Sequence, residues 1–403
     1  MDRPLDGVRV VELAMWVAGP STAVVLADWG ADVIKLEDPK GGDPIRGILS
    51  RTASDRSAPI RPPFELDNRN KRSVAIDLRR PDGQALAHRI VARADVFVTS
   101  LRLDALERMK MDYATLAAVN PRLVYASVNG YGHRGPDSLR PAYDYAAAWA
   151  RSGLMATIKE PGQTPPAQRP AMVDHAVGLG LAGAISAALL GRERTGRGRE
   201  VQISLFSMGL WMNATDLTLG LLTGRCPESE SRAQRINPLW SSYQCKDGEW
   251  MYFVMIQADR YWRPFCAALG RADWENDPRF ANQIVRAQNC AAMTAEIDAV
   301  MATRTRAQWA PIFDRHELIW APMHTDAEVL ADPQAHAIGA FAPVDHPRIP
   351  GCRVVNSPVE FGDVPNTPHR AAPELGQHTE EVALEAGLTW DDIARLKEAG
   401  ALG

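Results

Sequence analysis

Asp174 and His175 stand side by side in front of a segment rich in small residues, 176–190. Carboxylates and imidazoles can act as nucleophiles and as general bases in enzymes. Considered alone, Asp174 also fits the N-cap of the helix that follows, because an aspartate there accepts hydrogen bonds from the first backbone N–H groups. Such a position keeps a carboxylate ionised. Capping and nucleophilic attack are therefore compatible roles for Asp174.

The composition limits which partners such a site can serve. The chain has 403 residues, 46% hydrophobic and 23% charged, so it can bury a sizeable core, and its length predicts two domains. A net charge of −4 gives no global basic field for nucleic acid or an anionic membrane. The five cysteines are widely spread without a C-x-x-C pair, and the start of the chain lacks the apolar core of a secretion signal. These features predict a cytoplasmic protein with reduced thiols and no metal site.

The elements that must position the site begin with a strand–helix–strand unit. Strand-like runs alternate with helical patterns, the strands being expected at residues 8–13, 32–36, 73–77, 96–98 and 123–128. This alternation predicts an α/β fold with a Rossmann-like parallel sheet. The turn after the first strand contains Gly19 and Pro20 but no G-x-G-x-x-G, which disfavours a dinucleotide-dependent oxidoreductase. Segment 176–190 is too short to span a bilayer and is expected to be a buried helix.

The character of the sequence changes after Leu222. Two strand-like runs flank a turn at 246–249 and predict a β-hairpin, which is followed by helical patterns. Pro and Gly become frequent from Pro343 onward, so the last part is expected to be mostly extended. We therefore predict three pieces: a large α/β domain at 1–222, a smaller α/β domain with linkers at 223–330, and a C-terminal segment at 331–403 that returns to the large domain.

Short motifs in a fixed order carry a family resemblance along nearly the whole chain. They are L-D-G-V-R-V-V-E-L at 5–13, G-P at 19–20, L-A-D-W-G-A-D-V-I-K-L-E at 26–37, G-G-D at 41–43, R-G at 46–47, N-R-N-K-R-S at 68–73, P-A-Y-D at 141–144, T-G-R-G at 195–198, A-P at 321–322, E-V at 328–329 and E-L-G-Q-H-T at 374–379. Each motif is weak alone. Together they resemble the class III CoA-transferases, a family with formyl-CoA and carnitine CoA-transferases that also includes α-methylacyl-CoA racemases.

The resemblance implies that Asp174 is the nucleophile of a CoA-transferase. Its carboxylate would attack the thioester of an acyl-CoA donor to give a mixed anhydride, and the released CoA would convert this into an aspartyl-CoA thioester. A carboxylic acid acceptor would then take the CoA. The backbone N–H groups of Gly178 and Gly180 are candidate donors to the oxyanion. Coenzyme A enters as part of the substrate, and no metal is implied.

The phosphates of CoA require local cations in a weakly acidic protein. The resemblance places these residues along the CoA path: Val17, Ala18, Asp38, Arg72, Ile76, Ser100, Leu101, Arg108 and Arg140. By composition, Lys71 and Arg102 also stand near predicted strand ends, where open parallel sheets bind ligands. Each cation could equally be an ordinary surface charge.

Three departures limit what the resemblance implies. Val17 stands where the best-known formyl-CoA transferases have a glutamine, and Asp38 stands where they have an arginine near the adenine. The glycine-rich loop that shields the intermediate in those enzymes is also missing, since residues 237–240 run directly into the hairpin. Oxalate is therefore not implied as the acceptor.

Tyr143 and Asp144 bear on the racemase alternative. Racemases of this fold need a base on each face of the α-carbon and have a histidine followed by an aspartate in this segment. Tyr143 is a poor base near neutral pH because the ordinary tyrosine pKa is about 10. His175 is not a ready substitute, since neighbours on a helix point about 100° apart, and we expect it to pack or to meet solvent. Asp144 is expected to support Asp174.

The sequence therefore leaves three functions open. They are a CoA-transferase acting on an acyl-CoA and a carboxylic acid, an α-methylacyl-CoA racemase, and a non-catalytic CoA-binding protein. The resemblance favours the first and implies an interlocked homodimer.

Overall fold

The computed structural model describes residues 3–47, 60–362, 364 and 370–403. The chain forms two compact units. The larger comprises the chain up to Met155 together with Ala167–Cys226 and His336–Gly403, and the smaller comprises Ala156–Pro166 and Pro227–Ala335. The sequence places the changes of domain at 222/223 and 330/331 and assigns 156–166 to the large domain. In the structure, residues 156–166 belong to the smaller unit. The sequence could not indicate this, because this loop has no periodicity that shows which core it joins.

A parallel six-stranded sheet forms the centre of the larger unit. Its strands are β1 (Arg9–Leu13), β2 (Asp32–Glu37), β3 (Lys71–Ala75), β4 (Val96–Thr99), β5 (Val124–Asn129) and β6 (Glu200–Ser204). The order β3-β2-β1-β4-β5-β6 is that of a doubly wound Rossmann sheet, which confirms the predicted fold class. The order reverses between β1 and β4, and the crevice at the carboxyl ends of these two strands is where such sheets bind ligands.

Helices cover the sheet and build most of the smaller unit. In chain order they are α1 (Ala18–Asp28), α2 (Pro62–Asn68), α3 (Pro81–Val91), α4 (Leu103–Arg108), α5 (Tyr113–Val119), α6 (Leu154–Thr157), α7 (Met172–Thr195), α8 (Leu205–Met212), α9 (Ala214–Thr223), α10 (Ala258–Leu269), α11 (Gln283–Gln288), α12 (Cys290–Met301), α13 (Arg306–Arg315), α14 (Asp326–Ala331), α15 (Pro333–Ala337), α16 (Thr379–Glu385) and α17 (Trp390–Glu398).

The two faces of the sheet belong to different hydrophobic clusters. Successive residues of a strand point to opposite faces, so Val10 packs with α1 and α7 while Val11 packs with α3, α16 and α17. Both valines are fully buried. Burying a side chain of this size stabilises the fold by about 1.5–3 kcal/mol. This arrangement fixes α1 and α7 on one face of the sheet.

The first turns of α1 and α7 are in close contact through Ser21 and Gly178. Ser21 Oγ donates to the backbone carbonyl of Ala18 at 3.1 Å and lies 3.3 Å from that of Asp174. A Cβ at Gly178 would lie 3.0 Å from the backbone carbonyl carbon of Ser21 and closer still to its Oγ. The absence of a side chain at Gly178 thus allows the helix that carries Asp174 to approach α1.

We expect Gly178→Ala to destabilise the larger unit by about 1–3 kcal/mol, because the added methyl group overpacks this contact. Gly183→Ala is the matched control on the same helix: its Cβ would meet no atom within 4 Å, and alanine is favoured over glycine by up to about 1 kcal/mol in a helix. Thermal unfolding followed by circular dichroism measures both. Equal stability of the two variants would contradict the close packing.

Helix α7 is longer than the sequence predicts. It spans Met172–Thr195 rather than 176–190, and by length and composition alone it could cross a membrane. Its side chains Val173, Val177 and Leu181 are fully buried against the sheet and α1. The structure therefore shows α7 as a helix of the protein core.

The C-terminal segment covers the outer edge of β3. The backbone N–H of His378 donates to the Ser73 carbonyl at 2.9 Å, and that of Gly403 donates to the Ala75 carbonyl at 3.1 Å. Leu402 also forms an antiparallel bridge with Ile76. These contacts explain the E-L-G-Q-H-T motif at 374–379, which lies along a strand edge that would otherwise be unpaired.

The smaller unit contains the predicted hairpin and its own core. Strands β7 (Ser242–Gln244) and β8 (Trp250–Phe253) pair antiparallel, and β9 (Trp320–Pro322) adds a third strand that the sequence did not predict. Trp262 stacks on Trp274 with ring centroids 6.3 Å apart. Both are buried, as expected for core tryptophans. A further pair in the larger unit, β10 (Phe341–Pro343) and β11 (Arg353–Val355), is also antiparallel.

Candidate active site

Asp174 is the third residue of α7 rather than its N-cap. The helix begins after Ala171, whose φ of 69° lies in the left-handed region that residues other than glycine rarely adopt. Asp174 is half-buried, and within the described residues burial and neighbouring charges act on its carboxylate, which receives no hydrogen bond. The prediction that backbone N–H groups hold this carboxylate is therefore wrong.

The surroundings of Asp174 change its acidity. Burial raises its pKa to about 7, Asp144 and Asp67 act in the same direction, and His175 opposes them. The free carboxyl group is thus about half protonated at neutral pH, whereas the sequence predicts a fully ionised group. A perturbed pKa at a partly exposed side chain is typical of functional sites.

Asp144, rather than Asp174, is the carboxylate on which the first backbone N–H groups of α7 act. It is 2% exposed and lies directly before a π-helical turn, Tyr145–Ala150. The backbone N–H groups of Ala171 and Val173 favour its ionised form, but burial has the larger effect and raises the pKa of Asp144. Its Oδ2 atom is buried and has no hydrogen-bond partner within the described ranges. Asp144 and Asp174 interact electrostatically, and Asp144 disfavours the ionised form of Asp174.

His175 contacts a carboxylate that the sequence did not connect with it. Its Nε2 lies 3.1 Å from Oδ1 of Asp67 on α2. Asp67 is buried, whereas the His175 side chain is 42% exposed. Burial lowers the pKa of His175, but Asp67 and Asp174 outweigh burial and leave this pKa raised. The His175 side chain is therefore exposed to solvent, as expected, and it also contacts the buried carboxylate of Asp67.

Tyr143 and Trp16 form an aromatic pair next to the carboxylates. Their rings meet edge to face with centroids 5.6 Å apart, and the Tyr143 side chain is exposed. Trp16 has a φ of 69°, which is a strained conformation of the kind that clusters at functional sites. Because Tyr143 precedes Asp144 and Trp16 precedes Val17, the pair joins the β1–α1 loop to the carboxylate site.

Two buried lysines hold the β1–α1 loop at its ends. Lys35 Nζ donates to the carbonyl of Ala14 at 3.0 Å, and Lys71 Nζ donates to that of Pro20 at 2.9 Å. Both ammonium groups also pair with Glu12, at 2.6 and 2.7 Å. Burial lowers the pKa of Lys71 to about 8. These two buried lysines therefore hold in place the loop that contains Val17 and leads into Ala18, the first residue of α1.

Ser100 and Asp43 hold the middle of the same loop. Ser100 Oγ accepts from the N–H of Met15 at 3.1 Å, and Asp43 Oδ1 accepts from the N–H of Trp16 at 3.1 Å. A Cβ at Gly19 would lie 3.2 Å from the Cβ of Ser100. Ser100 thus joins the ends of β1 and β4 at the crevice, where the sequence expected it, but as a support for the loop.

Arg72 is not available to a ligand, which contradicts its predicted role. It is 5% exposed, and its guanidinium bonds Asp32, Glu381 and Glu385 at 2.6–3.2 Å. The error has a physical origin: β3 begins at Lys71, not at Ser73, so Arg72 lies at the amino end of the strand, away from the ligand-binding edge. Lys71 lies at the same amino end of β3 and is also buried.

Ile76 also departs from the prediction. It is 2% exposed, and its backbone is bridged to Leu402, so the returning C-terminal segment covers it. Leu101 is half-buried against the neighbouring core cluster, and its N–H donates to Thr99 Oγ1 at 3.2 Å. Leu101 therefore stands at the carboxyl end of β4, as expected.

The remaining candidates are exposed. Asp38 pairs with Arg79 at 3.2 Å, and Arg108 pairs with Asp104 one helical turn away at 2.9 Å. Arg140 lies 3.6 Å from Asp137 and over the ring of Tyr131. Arg102 is exposed at the N-cap of α4. The exposed arginines are free to move toward a phosphate, because surface ion pairs contribute only about 0–1 kcal/mol.

Gly178 and Gly180 cannot serve as the oxyanion donors that the sequence suggested. Both lie inside α7, where their N–H groups belong to the hydrogen-bond ladder of the helix. The small residues at these positions serve packing, as the contact of Gly178 with Ser21 shows.

Comparisons with known proteins identify the family of the chain. The profile described as CoA-transferase family III matches residues 5–379. The chain belongs to CoA-transferase family III. It is 32% identical to a (R)-2-hydroxy-4-methylpentanoate CoA-transferase of Clostridioides difficile, with 98% of each chain covered. It is 32% identical to a cinnamoyl-CoA:phenyllactate CoA-transferase of Clostridium sporogenes, with 98% of this chain and 96% of that protein covered.

A solved structure supports the same assignment. A CAIB/BAIF family protein from Brucella suis is 30% identical, with a TM-score of 0.84 over 96% of this chain and 100% of that one. The protein is thus an enzyme, a class III CoA-transferase with the fold of that family, and CoA-transferases use acyl-CoA as a substrate.

Three cations at the ligand-binding edge of the sheet were not among the residues predicted to line the CoA path. Lys40 follows β2, and Arg79 and Arg80 follow β3, at the ligand-binding edge of the sheet. Arg79 is 58% exposed and Arg80 is 52% exposed. The signal was present, since two arginines follow the strand-like run at 73–77 after a single leucine, but Lys71 and Arg72 led the prediction to the wrong end of β3.

Proposed function

We propose that the protein transfers CoA between carboxylic acids with Asp174 as its covalent nucleophile. The observation that carries this proposal is the partly exposed Asp174 carboxylate in the first turn of α7, close to the buried carboxylate of Asp144. Burial and Asp144 both favour converting the anion into a neutral ester-like group. Forming an anhydride or a thioester at Asp174 removes the charge that these surroundings disfavour.

The first half-reaction loads the enzyme. The Asp174 carboxylate attacks the thioester carbonyl of the donor acyl-CoA, the C–S bond breaks, and CoA leaves as a thiolate. The thiolate then attacks the aspartyl carbonyl of the mixed anhydride, and the donor acid leaves as a carboxylate. Asp174 is now an aspartyl-CoA thioester.

The second half-reaction repeats these steps in reverse with another acid. The acceptor carboxylate attacks the aspartyl thioester and displaces the CoA thiolate, which forms a second anhydride. The thiolate attacks the acceptor carbonyl, so that a new acyl-CoA is released and Asp174 is regenerated. The energy of the thioester is kept because each bond that breaks is replaced by one of similar energy.

The aromatic pair supports a class of acyl group. Trp16 and the exposed Tyr143 offer an apolar surface beside the carboxylates, and two relatives are named for acids with a branched or an aromatic side chain. We propose that the acyl chain is apolar or aromatic and packs on this pair. A panel of acyl-CoAs in which small polar acids react fastest would contradict this.

The quaternary structure and location are further parts of the proposal. Trp211 of α8 and Leu221 and Leu222 of α9 are 76–87% exposed, an apolar surface that an interlocked homodimer would cover. A sedimentation mass of one chain would contradict a dimer.

The free cysteines fit a reducing compartment such as the cytoplasm, and recovery of the native protein in a secreted fraction would contradict that location.

Oxygen exchange tests the covalent route. When the acceptor acid carries ¹⁸O in its carboxylate, one ¹⁸O should remain on Asp174 after each turnover and pass to the next donor acid that is released. In a single turnover with enzyme in excess, mass spectrometry should therefore find the ¹⁸O in the Asp174 peptide and not in the released donor acid. Direct transfer between the two substrates would put the ¹⁸O into the donor acid in that first turnover, leave Asp174 unlabelled and contradict the proposal. A racemase would instead incorporate solvent deuterium at the α-carbon without any acceptor.

A further inference from the structure

His175 has a more constrained environment than an exposed histidine usually has. Its Nε2 is 3.1 Å from Oδ1 of Asp67, and the Asp67 side chain is 3% exposed. A buried carboxylate next to an imidazole favours the charged imidazolium. The ring is thereby fixed at the start of α7, next in the chain to Asp174.

The charges around this pair come from several elements. Asp67 on α2 and Asp174 on α7 favour the charged form of His175, and Arg69, which follows α2, opposes it. Around Asp174, the carboxylates of Asp144 and Asp67 disfavour ionisation, and His175 favours it. Within the described residues, His175 is the one cation among the groups that act on Asp174.

We propose that His175, anchored on Asp67, is a positioning residue that keeps a positive charge beside Asp174 and so increases the ionised fraction of the nucleophile. The inference rests on the proposed function, because it matters only if Asp174 attacks as an anion. Asp144 and Asp67 both disfavour the ionised form of Asp174, and without a nearby cation Asp174 would be more fully protonated at neutral pH. The Asp67–His175 pair provides this cation.

The test is the dependence of kcat/KM on pH in His175→Gln, which keeps an N–H donor for Asp67 but removes the charge. Losing a nearby positive charge favours protonated Asp174, so the acidic limb should move to higher pH. We expect a shift of about one pH unit, or roughly a tenfold lower kcat/KM on that limb. His175→Lys, which has a permanent charge, should restore the limb toward its original position.

The matched control is His324→Gln in the smaller unit, where His324 lies 3.6 Å from Asp332. This variant should leave the pH profile unchanged. A His175→Gln profile that is lowered uniformly, or that superimposes on that of the parent enzyme, would overturn the inference. Full activity in Asp174→Asn would instead overturn the proposed function, so the two failures can be told apart.

Discussion

Replacing Asp174 with asparagine is expected to abolish CoA transfer and at the same time to stabilise the protein at neutral and alkaline pH. Asparagine has the same shape but cannot form the anhydride, so kcat should fall by at least about 10⁴-fold, as is typical when a covalent nucleophile is removed. The gain in stability follows from the raised pKa of the carboxyl group.

The raised pKa determines the direction of this change in stability, because protonation and folding are linked. An acid whose pKa is higher in the folded than in the unfolded state destabilises the fold when it is ionised. For Asp174 the pKa rises from 3.8 to about 7, so stability is lost as the pH rises from about 4 to about 7 and stays lost above that. A fully shielded shift of this size corresponds to roughly 4 kcal/mol. Partial exposure reduces the expected gain in Asp174→Asn to on the order of 2 kcal/mol.

Chemical unfolding at pH 5 and pH 8 measures this effect. The stability difference between Asp174→Asn and the parent should grow with pH. The exposed Asp345 offers a control, because Asp345→Asn should change neither activity nor the pH dependence of stability. An Asp174→Asn protein that is less stable than the parent at pH 8 would show that the carboxylate is held by contacts and is not strained.

Lys35→Met is expected to cost about 3 to 5 kcal/mol of stability, because removing one member of a buried ionic group leaves its partners uncompensated. Lys35 is fully buried and bonds Glu12 at 2.6 Å and Asp43 at 3.0 Å. Burial acts to lower the pKa of Lys35, but these carboxylates outweigh burial and leave it raised. The loss should extend to catalysis, since Asp43 and Lys35 also hold the loop that contains Trp16.

Urea unfolding checks the size of the loss, with Lys397→Met as the matched control. Lys397 pairs with Glu380 on the surface, where both side chains are about two-fifths exposed, at 41% and 42%. Its replacement should change stability by no more than about 0.5 kcal/mol. If the two variants were equally stable, the buried lysine would not organise the β1–α1 loop.

The sequence predicts five of the six strands of the sheet and places Asp174 near the start of a helix, because both depend on local patterns; β6 was not predicted. Strands such as β1 and β5 are short apolar runs between turn signals, and the motif order along the chain locates Asp174 independently of any contact. The roles of Lys71 and Arg72 depend instead on partners that are remote in sequence. Arg72 is neutralised in part by Glu385, more than 300 residues away, and no local pattern indicates that pairing.

The environment of Asp174 could not be predicted for the same reason. An aspartate before a small-residue helix is typical of an N-cap, but α7 begins earlier, at Met172, after Ala171 in a left-handed conformation. The first backbone N–H groups of α7 act instead on Asp144, about thirty residues upstream. Long-range packing thus converts an expected low-pKa cap into a carboxyl group with a pKa of about 7.

The most direct test of covalent catalysis is to locate the intermediate. The protein is incubated with an acyl-CoA, treated with hydroxylamine or borohydride, and digested for peptide mass spectrometry. The account predicts a hydroxamate or a reduced residue at Asp174, which is absent when acyl-CoA is omitted and absent in Asp174→Asn. A modification at another residue, or an unmodified Asp174 in an enzyme that is turning over, would contradict it.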